Sequence, residues 1–161
     1  MIKEKSDNFE KALKYAYWLM GRRSHSEKEI RQKLGRNYGD GTLNSVIEKL
    51  KSQKVINDES FAREWVEYRL KQNKSKNFIL RELVKKGIGR EAAQGILSEF
   101  RIDEFANAYN AVERKIKRYE KLELFKKKNK IFRFLASRGF DYDVIEQVAQ
   151  KLLERGKSEE N

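Results

Sequence analysis

Proline is absent from this 161-residue chain. Average usage near 5% would place roughly eight in a chain of this length. The pyrrolidine ring removes a backbone donor and clashes inside a helix, so a chain without it suits continuous helix. Cysteine is absent too. That excludes a disulfide framework, a thiolate metal site and a thiol nucleophile, and it fits a reducing compartment. A single histidine, His25, lies between two serines in a polar turn. It is expected to be a solvated turn residue, not a general base or ligand. No apolar run approaches the ~20 residues that span a bilayer, and the charged N-terminus does not have a signal-peptide pattern. The expectation is a soluble cytoplasmic protein with no membrane partner. Glycine-rich phosphate loops are missing as well. Gly35 to Gly41 has the spacing of neither common type, so no nucleotide or other cofactor is expected.

What is present is charge and periodicity. Charged residues make up 39% of the chain, well above the usual quarter, and the net charge is +12. A charge of that sign attracts polyanions. It is also segregated. Residues 114–138 hold eleven Lys/Arg against Glu120 and Glu123, and residues 69–90 hold eight against Glu82. An even spread would suit solvated helix faces; segregation points to a polyanion.

Nine amphipathic segments recur in three groups. Asp58-Glu59-Ser60-Phe61-Ala62 is echoed by Asp103-Glu104-Phe105-Ala106. Leu83-Val84-Lys85-Lys86-Gly87-Ile88 is echoed by Leu135-Ala136-Ser137-Arg138-Gly139-Phe140. Ile30 and Leu34 stand where Ile79 and Leu83 stand, one period earlier, and the third copy has a longer middle. A helical repeat near 50 residues predicts an all-α chain of stacked modules. The expected architecture is three tandem three-helix modules in an elongated, curved repeat protein. Their expected bounds are 1–54, 55–101 and 102–155, with a flexible tail over 156–161. Val55-Ile56 reads as an apolar plug between modules, and the chain is expected to fray from Glu154.

Local signals place the helix starts. Ser26-Glu27-Lys28-Glu29 is a capping box. Asp58 and Asp103 are expected to cap the fourth and seventh helices, where acids also favour the dipole. That reading removes the paired acids Asp58-Glu59 and Asp103-Glu104 from consideration as catalytic or metal-binding groups. Trp18 and Trp65 are expected in the core or between modules, and Tyr68 at a rim. Tyr119, Phe125 and Phe78 lie among the basic residues and could stack on bases, although helical spacing favours core positions.

Three segments carry a resemblance. Arg22-Arg23-Ser24-His25-Ser26-Glu27-Lys28-Glu29-Ile30-Arg31-Gln32-Lys33-Leu34 is one. Asn57-Asp58-Glu59-Ser60-Phe61-Ala62, followed by an aromatic, a valine and Arg69, is the second. Arg81-Glu82-Leu83-Val84-Lys85-Lys86-Gly87-Ile88 is the third. In order and spacing they resemble the RecX family, bacterial regulators of the RecA recombinase. The resemblance implies a non-enzymatic protein lying in the groove of the RecA–DNA filament; a monomer is expected. It implies suppression of filament growth, ATP hydrolysis, strand exchange and coprotease activity, with weak non-specific binding to single- or double-stranded DNA. The implied contacts are Arg22, Arg23, Arg31 and Lys33 in the first module, and Arg69, Arg81, Lys85 and Lys86 in the second. Ser75-Lys76-Asn77-Phe78 departs from the family's Gly-basic pattern, with positive charge kept at Lys74 and Lys76. Lys126, Lys127, Lys128 and Arg133 are candidates on charge alone. The competing expectation is a direct, sequence-independent DNA-binding helical protein.

Overall fold

A computed structural model describes residues 5–119 and 121–158, with side chains as far as Arg155. Among them the chain forms nine α-helices. These are α1 (Phe9–Arg22), α2 (Glu27–Leu34), α3 (Asp40–Ser52), α4 (Asp58–Lys71), α5 (Lys76–Lys85), α6 (Arg90–Ser98), α7 (Glu104–Ile116), α8 (Leu124–Ala136) and α9 (Tyr142–Ser158). A 3-10 turn, Lys117–Tyr119, follows α7. One isolated bridge, Ser6 to Tyr38, is the β contact seen among the described residues. The all-α repeat expected from the sequence is what forms. The helix α9 continues through Ser158, beyond the expected onset of fraying at Glu154. The rest of the expected tail, 159–161, lies outside the described residues.

The chain divides into two compact units. Among the described residues, the first runs up to Trp65 and includes Leu83–Ile96; the second takes Val66–Glu82 and those from Leu97 onward. In the first unit, α1, α2 and α3 each pack on the other two. Their core joins Ala12, Ala16 and Leu19 of α1 to Ile30 and Leu34 of α2 and to Leu43, Val46, Ile47 and Leu50 of α3. Ile30, Leu34, Val46 and Leu50 are wholly buried, each worth about 1.5–3 kcal/mol of transfer free energy. The alanines let α1 approach closely. Ile56 belongs to this core and Val55 packs against it.

In the second unit, α7, α8 and α9 pack pairwise. Ala108, Ala111 and Val112 meet Ile131 and Leu135, then Phe140, Ile145, Val148, Ala149 and Leu152. Small residues again line the first helix of the triplet. The longer middle of this copy is the 3-10 turn together with an early start of α8.

The same joint is built once in each unit. In the first unit, Ser26 caps α2: its hydroxyl accepts from the Glu29 amide at 3.2 Å and donates to the Lys86 carbonyl at 2.7 Å. Gly87 follows with φ +97°, and a Cβ there would lie 2.7 Å from the Lys28 Cβ. Ile88 closes the turn by donating to the Leu83 carbonyl, so its side chain folds back into the interior. In the second unit, Ser75 caps α5 and its amide donates to the Arg138 carbonyl at 3.3 Å. Gly139 follows with φ +84°, where a Cβ would meet Ser75, Phe78 and Arg81 at 2.8 Å. Both serines are fully buried.

Each joint is completed by an acid. The Glu27 amide, first in α2, donates to the Asp58 carboxylate at 2.7 Å. The Lys76 amide, first in α5, donates to the Glu104 carboxylate at 2.7 Å. The expected capping role of Asp58 is therefore corrected. Asn57 caps α4, accepting from the Glu59 and Ser60 amides at 3.0 Å. Asp103 does cap α7, accepting from the Ala106 amide. The equivalent of Asp58 is thus Glu104, one residue later than the sequence echo suggested. Burial is the main cause that raises the proton affinity of both acids.

Candidate polyanion interface

The expected contact residues divide by what already holds them. In the first unit, Arg23 binds the Glu29 carboxylate at 3.1 Å, and Arg31 binds Glu27 at 2.7 Å and Asn44 at 2.8 Å. Lys86 is the most enclosed. Its ammonium is 2.6 Å from Glu29 and 3.9 Å from the centre of the Trp65 ring, and its side chain is 17% exposed. Trp65 stacks on Phe61, so the lysine closes an aromatic stack beside the joint. Burial opposes ionisation of Glu29. The hydrogen bonds and charges of Arg23 and Lys86 outweigh it and hold the carboxyl at about 2. Arg22, Lys33 and Lys85 make no ion pair among the described residues. Arg22 lies over the Trp18 ring at 4.7 Å.

In the second unit, Arg69 grips Glu82 with two bonds of 2.6 Å and also reaches Gln72. Lys74 sits over the Phe78 ring at 4.1 Å. Burial, and then the charges of Arg138 and Arg69, lower its proton affinity. Arg138 donates to the Gln72 carbonyl at 2.8 Å and lies over Phe134. Arg138 and Arg69 thus crowd Lys74 with like charge, and the Glu82 carboxylate acts against them. Lys76 and Arg81 are exposed. On α8, Lys126 pairs loosely with Glu123 at 3.0 Å and Lys128 with Glu146 at 3.6 Å, while Lys127 is half-buried and Arg133 exposed. Asn77, at the departure from the family pattern, is bound to Asp141.

The surface therefore holds two kinds of cation. Lys86, Arg69 and Arg23 bind carboxylates and build the fold. Arg22, Lys33, Lys76, Lys85, Arg81 and Arg133 make no ion pair among the described residues. Arg138 and Lys130 were missed by the sequence reading. Arg138 stands where Lys86 stands one repeat earlier, which was the signal available for it.

Two aromatic expectations change. Trp18 is 53% exposed, stacked on Tyr15 and covered by Arg22, and is not core. Phe125 is 75% exposed. His25 is 3% exposed and not solvated; its Nδ1 is 2.9 Å from the Arg23 carbonyl. Burial is the leading cause that lowers its proton affinity. Among the described residues, no three His, Asp or Glu side chains converge as a metal site, and no helix is long and apolar enough to cross a membrane. A groove of about 320 Å³ between α8 and α9, lined by Leu124, Lys128, Glu146, Gln150, Leu153 and Glu154, has mixed charge.

The family models settle what these triplets are. The first three-helix domain of RecX matches residues 12–50, the second 57–97 and the third 102–155. The chain belongs to the RecX family. A Regulatory protein RecX of Clostridioides difficile is 34% identical over 89% of this chain and 68% of its own length. One from Prosthecochloris aestuarii is 36% identical over 89% of this chain and 94% of its own. The crystal structure of RecX from Lactobacillus salivarius superposes with a TM-score of 0.71 at 26% identity, covering 89% of this chain and 96% of that one. A second RecX crystal structure, 21% identical, shares the fold with a TM-score of 0.74 over 88% of this chain and 71% of that one. The relatives are named as regulatory proteins. The helix triplets described above are thus this chain's version of the RecX fold.

Proposed function

We propose that this RecX-family chain binds in the groove of the filament that RecA forms on single-stranded DNA, and inhibits that filament. Its action is binding, not catalysis. Occupying the groove favours one filament state and so suppresses growth, ATP hydrolysis, strand exchange and coprotease activity. The observation that carries this reading is the match to all three RecX domains, spread from residue 12 to residue 155. The net charge of +12 supports it, because the partner assembly contains nucleic acid. In this reading the protein works in the cytoplasm as a monomer, and Arg22, Lys33, Lys85, Lys76, Arg81 and Arg133 make the contacts.

The test is RecA's single-stranded-DNA-dependent ATP hydrolysis with this protein titrated in. Inhibition well below one copy per RecA, without effect from an equally basic control protein, is expected. No inhibition, with tight salt-sensitive binding to bare DNA, would instead support direct sequence-independent DNA binding.

A further inference from the structure

The second helix of each triplet can be aligned by its two buried residues: Ile30 and Leu34, Ile79 and Leu83, Ile131 and Leu135. Four residues before the first of each pair stand Ser26, Ser75 and Lys127. The serines begin their helices and are buried in the joints. Lys127 does neither. By that point α8 has run for a full turn, starting at Leu124 after Glu123, which makes no side-chain cap bond. The added turn contributes little to the core. Leu124 is 56% exposed and Phe125 75%. No ring contact or cation holds Phe125 among the described residues. Leu124 lines the groove beside α9 and Lys127 is half-buried, so Phe125 is the side chain of this turn that is left most open to solvent.

The charge around it names that partner's chemistry. Lys126, Lys130 and Arg133 are spaced i, i+4 and i+7, so they share one outward face of α8, about 6 and 10 Å along its axis. All three are exposed. Lys130 and Arg133 make no ion pair among the described residues, and Lys126 meets only the exposed Glu123. Asn129 lies between this stripe and Phe125. The acidic residues Glu146 and Glu154 line the groove on the Leu124 side, away from the stripe. A row of cations beside an exposed aromatic suits a strand whose phosphates and bases are both accessible. Duplex bases are already stacked on each other and offer no face to the ring.

We propose that the added turn of α8 is a contact for single-stranded nucleic acid. Phe125 stacks on a base, and Lys126, Lys130 and Arg133 bind the phosphates. This extends the reading above, in which single-stranded DNA is part of the partner, but its test needs no RecA. Fluorescence anisotropy would compare labelled oligothymidylate with a hairpin duplex of equal length, for the wild type, Phe125→Ala and Phe125→Trp. Phe125 is exposed, so these variants fold, and circular dichroism checks that. Expected is a loss of about fivefold or more on the single strand for Phe125→Ala. Little change on the duplex, and recovery in Phe125→Trp, complete the expected pattern. Equal affinity of Phe125→Ala for the single strand, or the same loss on duplex, would overturn the assignment. So would a Phe125 dependence confined to phosphatidylserine vesicles, which would make the turn a membrane contact. RecA inhibition that survives Phe125→Ala would leave the filament reading in place whichever way this assay goes.

Discussion

The Ser26 hydroxyl accepts from Glu29 and donates to Lys86, both inside one buried joint. Ser26→Ala removes a helix cap and leaves a buried carbonyl without its donor, so a loss of about 1–3 kcal/mol is expected in urea unfolding. Gly87→Ala adds a positive-φ penalty of roughly 1–2 kcal/mol to a clash with Lys28, and should exceed the loss from Gly89→Ala, where a Cβ meets nothing. Glu29 sets an acid limb. Its folded carboxyl is held at about 2 against the ordinary 4.5. Its contribution is therefore complete above pH 4.5 and is lost as pH falls towards 2. Asp58 and Glu104 act with the opposite sign. Their raised proton affinity means stability that falls as pH rises from the ordinary carboxylate range through the folded value. Glu29→Gln should flatten the acid limb of the unfolding midpoint, whereas an unchanged limb would place the controlling acid elsewhere. The capping box was legible in the sequence because its signal is local, and Gly87 and Gly139 stood at matching places in the repeat echo. The partners of Asp58 and Glu104 were not legible, because each bond closes over a distance that no local pattern encodes.

Among the elements, α2, α5 and α8 carry most of the candidate contact residues. The expected positions Ile30, Leu34, Ile79 and Leu83 are all buried, so periodicity fixed which faces turn inward. Periodicity could not separate cations by role. Lys85 and Lys86 are adjacent in sequence, yet Lys85 is exposed while Lys86 is locked between Glu29 and Trp65. Helix geometry turns neighbours about 100° apart, and the joint captures only one of them. Lys85→Glu should weaken RecA inhibition with the unfolding midpoint unchanged. Lys86→Glu should lower the midpoint, because it places two carboxylates together. Equal stability of the two variants would contradict this division. The early start of α8 was also invisible, since Leu124 and Phe125 look like core residues in a helical pattern.

For the whole molecule, charge and family membership point to the same partner. Single-strand binding should weaken with salt by a slope of about −0.7 per phosphate contacted. Neutralising Lys130 and Arg133 together should make that slope shallower by roughly 1.4. The most direct test of the account is affinity for the RecA–single-stranded-DNA filament against affinity for the same DNA bare, measured side by side at physiological ionic strength. Filament binding tighter by at least about tenfold, worth ~1.4 kcal/mol, is predicted. Equal affinity, or a preference for bare DNA, would contradict a regulator whose partner is the filament.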